Sequence, residues 1–406
     1  MTIRKHDTVR FSDNAGYDFE IRTVLGRSVE GASDPGEVLA ATAAIHPGDH
    51  EAWFSAWNEL GYRASAIAER AASEGHHVSA AGAYLRAANY YSVAVNAISA
   101  LPDTTRLLPT FQLQQAAWTG FIDNVASPVE KVEIPYETST LPGYYFTSQA
   151  ADSHDRRTLI AVNGSDGSLA GLYASVVAPA LRRGYDVLIF DGPGQQTQLF
   201  EQNGSFRPDW ESVITPVFDF VAERDDVNAA RIAVYGISQG GNWVARAIAF
   251  EHRFTAAIVD PGVVDVATSW TSQIPHPLLL LLNEGKNEKF DRDMELGMKF
   301  SPETARTWQF RARPYGKAGY AETITEVRRY TVADVAGQIT TPLLILSPED
   351  EQFWPGQAEQ LASLTPNVST LVKFTAAEGA AGHCQPLARE LTAQRIFDWL
   401  DEKLTN

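Results

Sequence analysis

The sequence predicts an α/β fold in which a mostly parallel eight-stranded sheet follows an N-terminal unit of helices. Two patterns lead to this prediction. Before about residue 125 apolar residues recur every three or four positions, and from about residue 129 short apolar runs alternate with helical stretches. The first pattern indicates helices that bury one face, and the second indicates strands covered by helices. We therefore divide the 406 residues into a helical cap, 1–125, and a sheet domain, 126–406.

Two long antiparallel helices are predicted in the cap. Apolar residues fall at intervals of three and four from Trp53 to Ala71 and, after Gly75, from Ala80 to Leu101. Aromatic residues at helical spacing usually fill cores, and we expect most of those in the cap to do so. Tyr90 is retained as a candidate substrate contact.

Eight short apolar runs are the candidate strands. These runs are Val129–Ile134, Gly143–Phe146, Thr158–Val162, Asp186–Phe190, Ile232–Tyr235, Ala256–Val259, Leu343–Leu346 and Leu371–Phe374. A helix is expected to follow Ser168 and to end near Gly184, a natural C-terminal cap. Pro179 is expected to kink that helix or to shift its start, because proline lacks a backbone N–H.

Residues 262–340 interrupt the alternation and are rich in Pro, Trp, Arg and Tyr. The segment is too long for an ordinary loop between consecutive strands. We interpret it as an insertion over the carboxyl ends of the strands, where open α/β sheets bind ligands. Its aromatic residues are candidates for the wall of a pocket, and Trp308 and Tyr315 are the two we select. The full set is Trp270, Trp308, Phe310, Tyr315 and Tyr320.

The acidic composition argues against polyanionic partners. Asp and Glu number 50 against 33 Lys and Arg, giving a formal net charge of −17 at pH 7. Nucleic acid and anionic membrane surfaces are repelled by such a charge. A small-molecule substrate is the expected partner, and a homodimer stays open.

Cysteine content and terminal sequence favour a cytoplasmic protein. Cys384 is the only cysteine, so neither an intramolecular disulfide nor a Cys-rich metal site is expected. Residues 1–16 lack the apolar core of a signal peptide. The longest apolar run, Leu278–Leu282, is far shorter than the roughly 20 residues of a membrane helix. His76 and His77 show no metal-ligand spacing, so no metal or other cofactor is implied.

A G-x-S-x-G motif gives the clearest chemical signal. Residues 231–242 read R-I-A-V-Y-G-I-S-Q-G-G-N, a β-branched strand that runs into Gly236, Ser238 and Gly240 and then into a helix. The motif alone is also met in ordinary Gly-rich turns, but here it has the strand-turn-helix context of a nucleophile elbow. Side chains at the two glycines are expected to collide with neighbouring backbone. Ser238 is therefore the candidate nucleophile.

His383 is the candidate base that activates this serine. It lies in a loop of small residues between the last strand and a C-terminal helix. A serine hydroxyl is a poor nucleophile near neutral pH unless a base lies within hydrogen-bonding reach. A surface histidine is the alternative interpretation.

Two neighbouring carboxylates compete for the role of the acid that orients the histidine. Counting along the strand from Pro342 selects Glu351, with Pro355 four residues beyond it. Counting backward from the helix that contains Gln357 selects Asp350. We favour Glu351 and keep Asp350 as the alternative.

The loop 163–167, N-G-S-D-G, is the candidate for half of an oxyanion hole. Such a site needs two backbone N–H groups, one from the residue after the nucleophile and one from the loop after the third strand. Gln239 supplies the first, and Ser165 is preferred over Gly164 for the second. Asp166 is either a substrate contact or a turn residue.

Together these residues resemble an α/β-hydrolase group that includes 2,6-dihydroxypseudooxynicotine hydrolase, fungal polyketide-shortening hydrolases and FrsA-type esterases. The resemblance covers most of the chain from about residue 50. Besides the elbow, it rests on R-A-A-N-Y-Y at 86–91, D-G-P-G-Q at 191–195, R-P-D-W-E at 207–211 and E-Q-F-W-P-G-Q at 351–357. The chain departs from the group at Gln196-Thr197-Gln198, where Gly and an acidic residue are usual.

The resemblance implies the α/β-hydrolase fold and acyl chemistry through a serine acyl-enzyme. The resemblance implies an aromatic or polyketide-like substrate. The same residues cleave esters, lactones and carbon-carbon bonds next to a ketone, so the type of bond that is cleaved stays open. An acyltransferase or cyclase that uses the same residues is the first alternative. A non-catalytic binding protein of the same fold is the second.

Overall fold

The computed structural model describes residues 9–150 and 156–404. Residues 1–8, on which part of the signal-peptide prediction rests, lie outside this range. In the described residues, five α-helices precede the first strand. They are α1 (Ala15–Gly26), α2 (Pro35–Thr42), α3 (His50–Ser73), α4 (His77–Ala97) and α5 (Leu107–Asn124).

The two long helices α3 and α4 agree with the sequence prediction, whereas α1 and α2 were not predicted. Side chains cap both of these shorter helices. The Asn14 side chain accepts hydrogen bonds from two backbone N–H groups in the first turn of α1. The Asp34 side chain accepts from the Glu37 N–H at the start of α2, where Pro35 occupies the first turn. These caps satisfy donors that otherwise lack intrahelical partners.

The sheet has eight strands in the order β1-β2-β4-β3-β5-β6-β7-β8 within the described residues. They are β1 (Val129–Tyr136), β2 (Ser139–Phe146), β3 (Arg157–Val162), β4 (Tyr185–Phe190), β5 (Ile232–Ile237), β6 (Ala256–Asp260), β7 (Leu343–Pro348) and β8 (Ser369–Phe374). β2 pairs antiparallel with both β1 and β4, and the remaining pairs are parallel. The predicted α/β fold is therefore confirmed.

Alternate residues of the central strands enter two separate cores. In β3, Leu159 and Ala161 face the core shared with the N-terminal helices, whereas Ile160 and Val162 face the opposite core. The period of two in a strand explains this division. Both faces are covered, so these strands read as continuous apolar runs in the sequence.

The other helices connect the strands or extend beyond them. They are α6 (Leu169–Leu172), α7 (Ala178–Arg182), α8 (Gln196–Phe200), α9 (Glu211–Ala222), α10 (Gly240–Ala247), α11 (Thr268–Thr271), α12 (His276–Asn283), α13 (Asn287–Lys299), α14 (Pro302–Ala312), α15 (Tyr320–Val327), α16 (Gln357–Leu364) and α17 (Arg389–Leu404). A π-helical turn, Tyr173–Val177, separates α6 from α7. It lies just before Pro179, whose missing N–H interrupts the regular hydrogen-bond ladder.

The insertion between β6 and β7 forms α11–α15 and touches the helical cap. Arg306 of α14 donates from Nε to the carbonyl oxygen of Ala100, 2.8 Å away, in the segment after α4. His50, at the start of α3, lies 2.9 Å from Glu303 of the same insertion helix. The cap and the insertion therefore meet above the sheet.

No helix in residues 9–150 and 156–404 combines the length and the apolar character that a membrane span requires.

Trp118 connects the cap to the sheet and gives a test of this packing. Its ring lies 5.4 Å from that of Tyr144 in β2 and 6.1 Å from that of Tyr173 in the π-helical turn. Trp118→Ala is expected to lower the free energy of unfolding by about 3–5 kcal/mol, because a buried aromatic side chain leaves a cavity. Denaturant titration measures the loss.

Tyr62 on α3 is the matched control, since its side chain is 63% exposed. Tyr62→Ala is expected to change the free energy of unfolding by no more than about 0.5 kcal/mol. A Trp118→Ala loss as small as that of the control would show that α5 does not depend on this contact with the sheet.

Candidate active site

Ser238 stands at a sharp turn between β5 and α10. Its backbone has φ 57°, the left-handed region that non-glycine residues rarely adopt. Space for this turn depends on the flanking glycines. A Cβ at Gly236 would overlap the carbonyl of Gly240, and one at Gly240 would lie 2.8 Å from the carbonyl oxygen of Asn163. The Ser238 N–H donates to the carbonyl of Asp260 in β6 at 2.6 Å, which fixes the turn to the neighbouring strand.

His383 reaches this serine from the loop that follows β8. Its Nε2 lies 2.9 Å from the Oγ of Ser238, and its side chain is buried. Two residues after it, Gln385 donates from Nε2 to Oδ1 of Asp260 at 3.0 Å. Because Asp260 also receives the Ser238 N–H, one residue of β6 anchors both loops. The structure therefore brings the serine and the histidine together as the sequence predicts.

Glu351 holds the other nitrogen of the imidazole. Its Oε2 and Oε1 lie 2.8 and 3.0 Å from Nδ1 of His383. The carboxylate also accepts the N–H groups of Phe353 at 2.9 Å and Trp354 at 3.3 Å. Burial raises the pKa of Glu351, but the histidine and these N–H groups outweigh burial and leave the pKa below its ordinary value. The carboxylate is therefore ionised at neutral pH.

Asp350, the alternative acid, is exposed. Its backbone N–H donates to the carbonyl of Ala381 at 2.9 Å in the histidine loop. This contact joins the two loops through the main chain. The structure therefore brings Glu351, and not Asp350, to the imidazole.

Aromatic rings surround the imidazole. Phe353 lies edge-on at a centroid distance of 4.7 Å, and Trp354 lies at 5.8 Å. Phe19 of α1 lies 6.2 Å from the imidazole and was not singled out from the sequence. The next residue, Glu20, has its pKa raised to about 7 by burial and by the negative charge of Asp166, against the opposing effect of Arg27. Helix α1 thus covers the histidine side of the site.

The loop after β3 lies directly against the serine. A Cβ added to Gly164 would lie 2.8 Å from Cβ of Ser238. The N–H of Gly164 already donates to Oδ1 of Asn163 at 3.0 Å. Of the candidate donors named from the sequence, Ser165 and Gln239 therefore keep their backbone N–H groups for a ligand, and Gly164 does not.

Gln195 braces this loop, although the sequence indicates no role for it beyond a shared motif. Its Nε2 donates to the carbonyls of Asn163 and Gly164 at 3.0 and 2.8 Å. Its Oε1 accepts the N–H of Gly192 at 2.8 Å. The side chain is buried, and two hydrogen bonds to the loop and one to Gly192 hold the loop in one position.

Gln196 explains the departure from the related group. Its Oε1 accepts from Nε2 of Gln114 on α5 at 2.8 Å, and its Nε2 donates to the carbonyl of Asp166 at 3.3 Å. A glycine here, the residue usual in the group at this point, would make neither contact. The amide therefore connects the cap to the loop beside the serine.

A cleft lies beside Gln239, the residue after the serine, and is lined by the cap, the insertion and the sheet loops. Ser165, Asp166, Gln239 and Tyr315 all line it, and the Tyr315 hydroxyl lies 3.4 Å from Oε1 of Gln239. The further lining residues are Asn96, Gln196, Leu199, Phe200, Phe206, Trp270, Phe310, Arg311 and Pro314. The structure thus places Tyr315 and Asp166, two of the predicted contacts, in the cleft wall.

Trp308 and Tyr90, also named as substrate contacts, lie elsewhere. Trp308 packs behind Trp270 at a centroid distance of 5.1 Å, because its helix turns this face toward the insertion core. Tyr90 is fully buried and donates from its hydroxyl to Glu37 at 2.7 Å, which ties α4 to α2. Both follow the ordinary tendency of aromatic residues at helical spacing to fill cores.

Within the described ranges 9–150 and 156–404, no group of three or more His, Cys, Asp or Glu side chains has the arrangement of a metal site.

Comparison with known proteins identifies the family. The sequence profile described as the alpha/beta hydrolase family matches residues 159–395. Hydrolase LUC6 of a Fusarium species is 30% identical over 409 aligned positions, covering 95% of this chain and 96% of that protein. The chain belongs to the alpha/beta hydrolase family and is a hydrolase.

Two further similarities agree with this assignment. The 20-hydroxy-prefusarin hydrolase FUS2 of Gibberella moniliformis is 33% identical, over 64% of this chain and 63% of that protein. The crystal structure of 2,6-dihydroxy-pseudo-oxynicotine hydrolase superposes with a TM-score of 0.72 at 20% identity, covering 93% of this chain and 95% of that one. The second similarity shows a shared fold.

Replacing Gln195 tests whether the brace under the loop matters for turnover. Gln195→Leu is expected to lower kcat by about tenfold or more with little change in KM, because misplaced oxyanion donors weaken transition-state binding. Hydrolysis of a 4-nitrophenyl ester measures both constants.

The matched control is Gln198→Leu, since Gln198 is also a buried amide but donates to the carbonyl of Thr140, away from the loop. This variant is expected to keep kcat within a few-fold of the parent. Equal losses in the two variants would mean that only general stability was tested.

Proposed function

We propose that this hydrolase acts through a Ser238 acyl-enzyme, with His383 as general base and acid and Glu351 as the residue that orients the imidazole. The continuous hydrogen-bonded path from Glu351 through His383 to the Ser238 Oγ carries the proposal. Each of its two contacts is within the 2.6–3.2 Å reach expected of a nucleophile, its base and the group that orients the base.

In the first half-reaction, the Ser238 Oγ attacks the substrate carbonyl carbon while His383 Nε2 takes the hydroxyl proton. The oxyanion that forms accepts hydrogen bonds from the backbone N–H groups of Gln239 and Ser165. The N-terminus of α10 begins at Gly240 and adds a partial positive charge beside it. His383 then gives the proton to the leaving group, and the acyl group stays on the serine.

In the second half-reaction, water replaces the leaving group. His383 Nε2 takes a proton from water, the resulting hydroxide attacks the acyl carbon, and the returned proton restores the Ser238 hydroxyl. The ionised Glu351 keeps the Nδ1–H of the imidazole in place throughout and stabilises its charged form. Over the two half-reactions one water is consumed, the acyl group leaves as the acid, and Ser238 and His383 return to their starting protonation states.

The substrate we propose is an aromatic or polyketide-like carbonyl compound of moderate size. The cleft offers Trp270, Phe310 and Tyr315 as apolar contact surface. Two similar proteins, a 20-hydroxy-prefusarin hydrolase and a 2,6-dihydroxy-pseudo-oxynicotine hydrolase, have names that agree with such a class. An ester, a lactone or a carbon-carbon bond next to a ketone all fit the same steps.

Labelling with a fluorophosphonate tests the nucleophile. The wild-type enzyme is expected to gain one adduct on the peptide that contains Ser238 and to lose activity in proportion. Ser238→Ala is expected to remain folded, to resist labelling and to lose turnover by up to about 10⁶-fold. Retention of a tenth of wild-type turnover by this variant would exclude Ser238 as the nucleophile.

Amide substitutions separate the two neighbouring carboxylates. Glu351→Gln is expected to reduce kcat by about 10⁴-fold, because an amide no longer stabilises the charged imidazole or selects its tautomer. Asp350→Asn is the matched control and is expected to stay within a few-fold of wild type. Steady-state hydrolysis of one ester measures both variants, and the reverse pattern would assign the role to Asp350.

A further inference from the structure

Arg311 stands out among the residues that line the cleft. It belongs to α14 and lies against the insertion wall, with its Cζ 5.0 Å from the ring centroid of Trp270. Many other arginines of this acidic chain hold carboxylates, as Arg246 holds Glu211 at 2.9 Å. In the part of the chain that the structure describes, no carboxylate oxygen lies within the 4.0 Å of an ion pair from the Arg311 guanidinium.

A second hydrogen-bond donor in the cleft also lacks a partner. Gln239 is only 4% exposed, and its buried Nε2 donates a hydrogen bond to no atom of the described residues. The hydroxyl of Tyr315 donates to the Oε1 of Gln239 at 3.4 Å. Burial raises the pKa of Tyr315 to about 12, so this hydroxyl stays protonated and keeps the Gln239 amide in one orientation. The Nε2 is therefore left for a ligand.

Negative groups near the cleft restrict where an anion binds. Asp166 lines the cleft from the loop beside the serine and accepts the Ser165 hydroxyl at 3.4 Å. An anionic ligand group is repelled there and attracted to the insertion wall at Arg311. Asn96 of α4 adds an acceptor, since its Oδ1 is also buried without a partner among the described residues.

We propose that the cleft binds a substrate that carries a carboxylate, held by the Arg311 guanidinium with Nε2 of Gln239 as a further donor to the same substrate. This inference rests on the proposed acyl-enzyme function and names the substrate class of that site. Charge-assisted hydrogen bonds from a guanidinium are the strong contacts of carboxylate recognition. The Trp270 ring supports the guanidinium, and a hydroxyl or amide N–H of the substrate meets Asn96.

Paired substrates isolate the contribution of the charge. Mono(4-nitrophenyl) esters of dicarboxylic acids with four to eight carbons are compared with the same esters whose free carboxylate is replaced by a neutral amide. Wild type is expected to favour the acid over its amide by about tenfold or more in kcat/KM for at least one chain length. The preference is expected to shrink as the salt concentration rises, because ions screen the attraction.

Arg311→Gln is expected to abolish the preference for the acid, so that the ratio of kcat/KM for the acid to kcat/KM for its amide falls from about tenfold to near one. Arg313→Gln is the matched control and is expected to keep the preference. Arg313 stacks over Phe200 at 5.4 Å and does not line the cleft. An acid preference that persists in Arg311→Gln, or equal rates for acid and amide at every chain length in wild type, would overturn the inference.

Fluorophosphonate labelling gives a second readout that is independent of ester turnover. Free dicarboxylates are expected to slow labelling of wild type, their diamides are expected not to, and Arg311→Gln is expected to lose this protection. Equal labelling with and without dicarboxylates would also overturn the inference. Failure of the acyl-enzyme proposal is distinct, because it appears as labelling or turnover that does not depend on Ser238 for neutral and charged substrates alike.

Discussion

The left-handed backbone of Ser238 is the constraint on which the rest of the site depends. A non-glycine residue in this conformation costs on the order of 1–3 kcal/mol, and such strain persists only where the surroundings impose it. Here β5, α10 and the carbonyl of Asp260 impose it. The turn presents the hydroxyl to two separate loops, the one that carries His383 and the one that contains Gly164. Asp260 also receives Gln385, which extends the same support to the loop that carries His383.

Amide side chains connect the loop beside the serine to the helical cap by hydrogen bonds. Gln195 braces the loop that supplies Ser165, and Gln196 passes the connection to Gln114 in the helical cap. Neutral amides both donate and accept, so they join backbone segments in a buried region without adding charge. The cap is therefore more than a cover, since its fifth helix is hydrogen-bonded to the wall of the cleft. Arg311 in the cleft differs from these neutral groups, because it is a cation without an ion-pair partner in the described ranges 9–150 and 156–404.

Local sequence patterns predicted much of the fold and many of the candidate site residues. The features that they did not predict depend on contacts between segments that are distant in the chain. The turn around Ser238 could be predicted because its glycines, strand and helix are neighbours in the chain. The choice between Asp350 and Glu351 was open because it depends on β7 continuing to Pro348 and on the pairing of that loop with Ala381, which no local pattern shows. Helix α1 was missed because its apolar residues do not form a clear stripe along one face. Phe19 contacts His383 only in the folded chain, because the two residues are far apart in sequence. Tyr90 and Trp308 were named for their ring type, yet packing within their own units decides their positions.

The central claim is that two half-reactions share one acyl group on Ser238, and product partitioning tests it most directly. Esters with the same acyl group and different phenol leaving groups are hydrolysed in the presence of hydroxylamine, and the ratio of hydroxamate to free acid is measured. A common acyl-enzyme predicts one ratio for every leaving group, because each leaving group has departed before water and hydroxylamine compete. A ratio that changes with the leaving group would contradict the account, since it would mean that the acceptor attacks the ester directly.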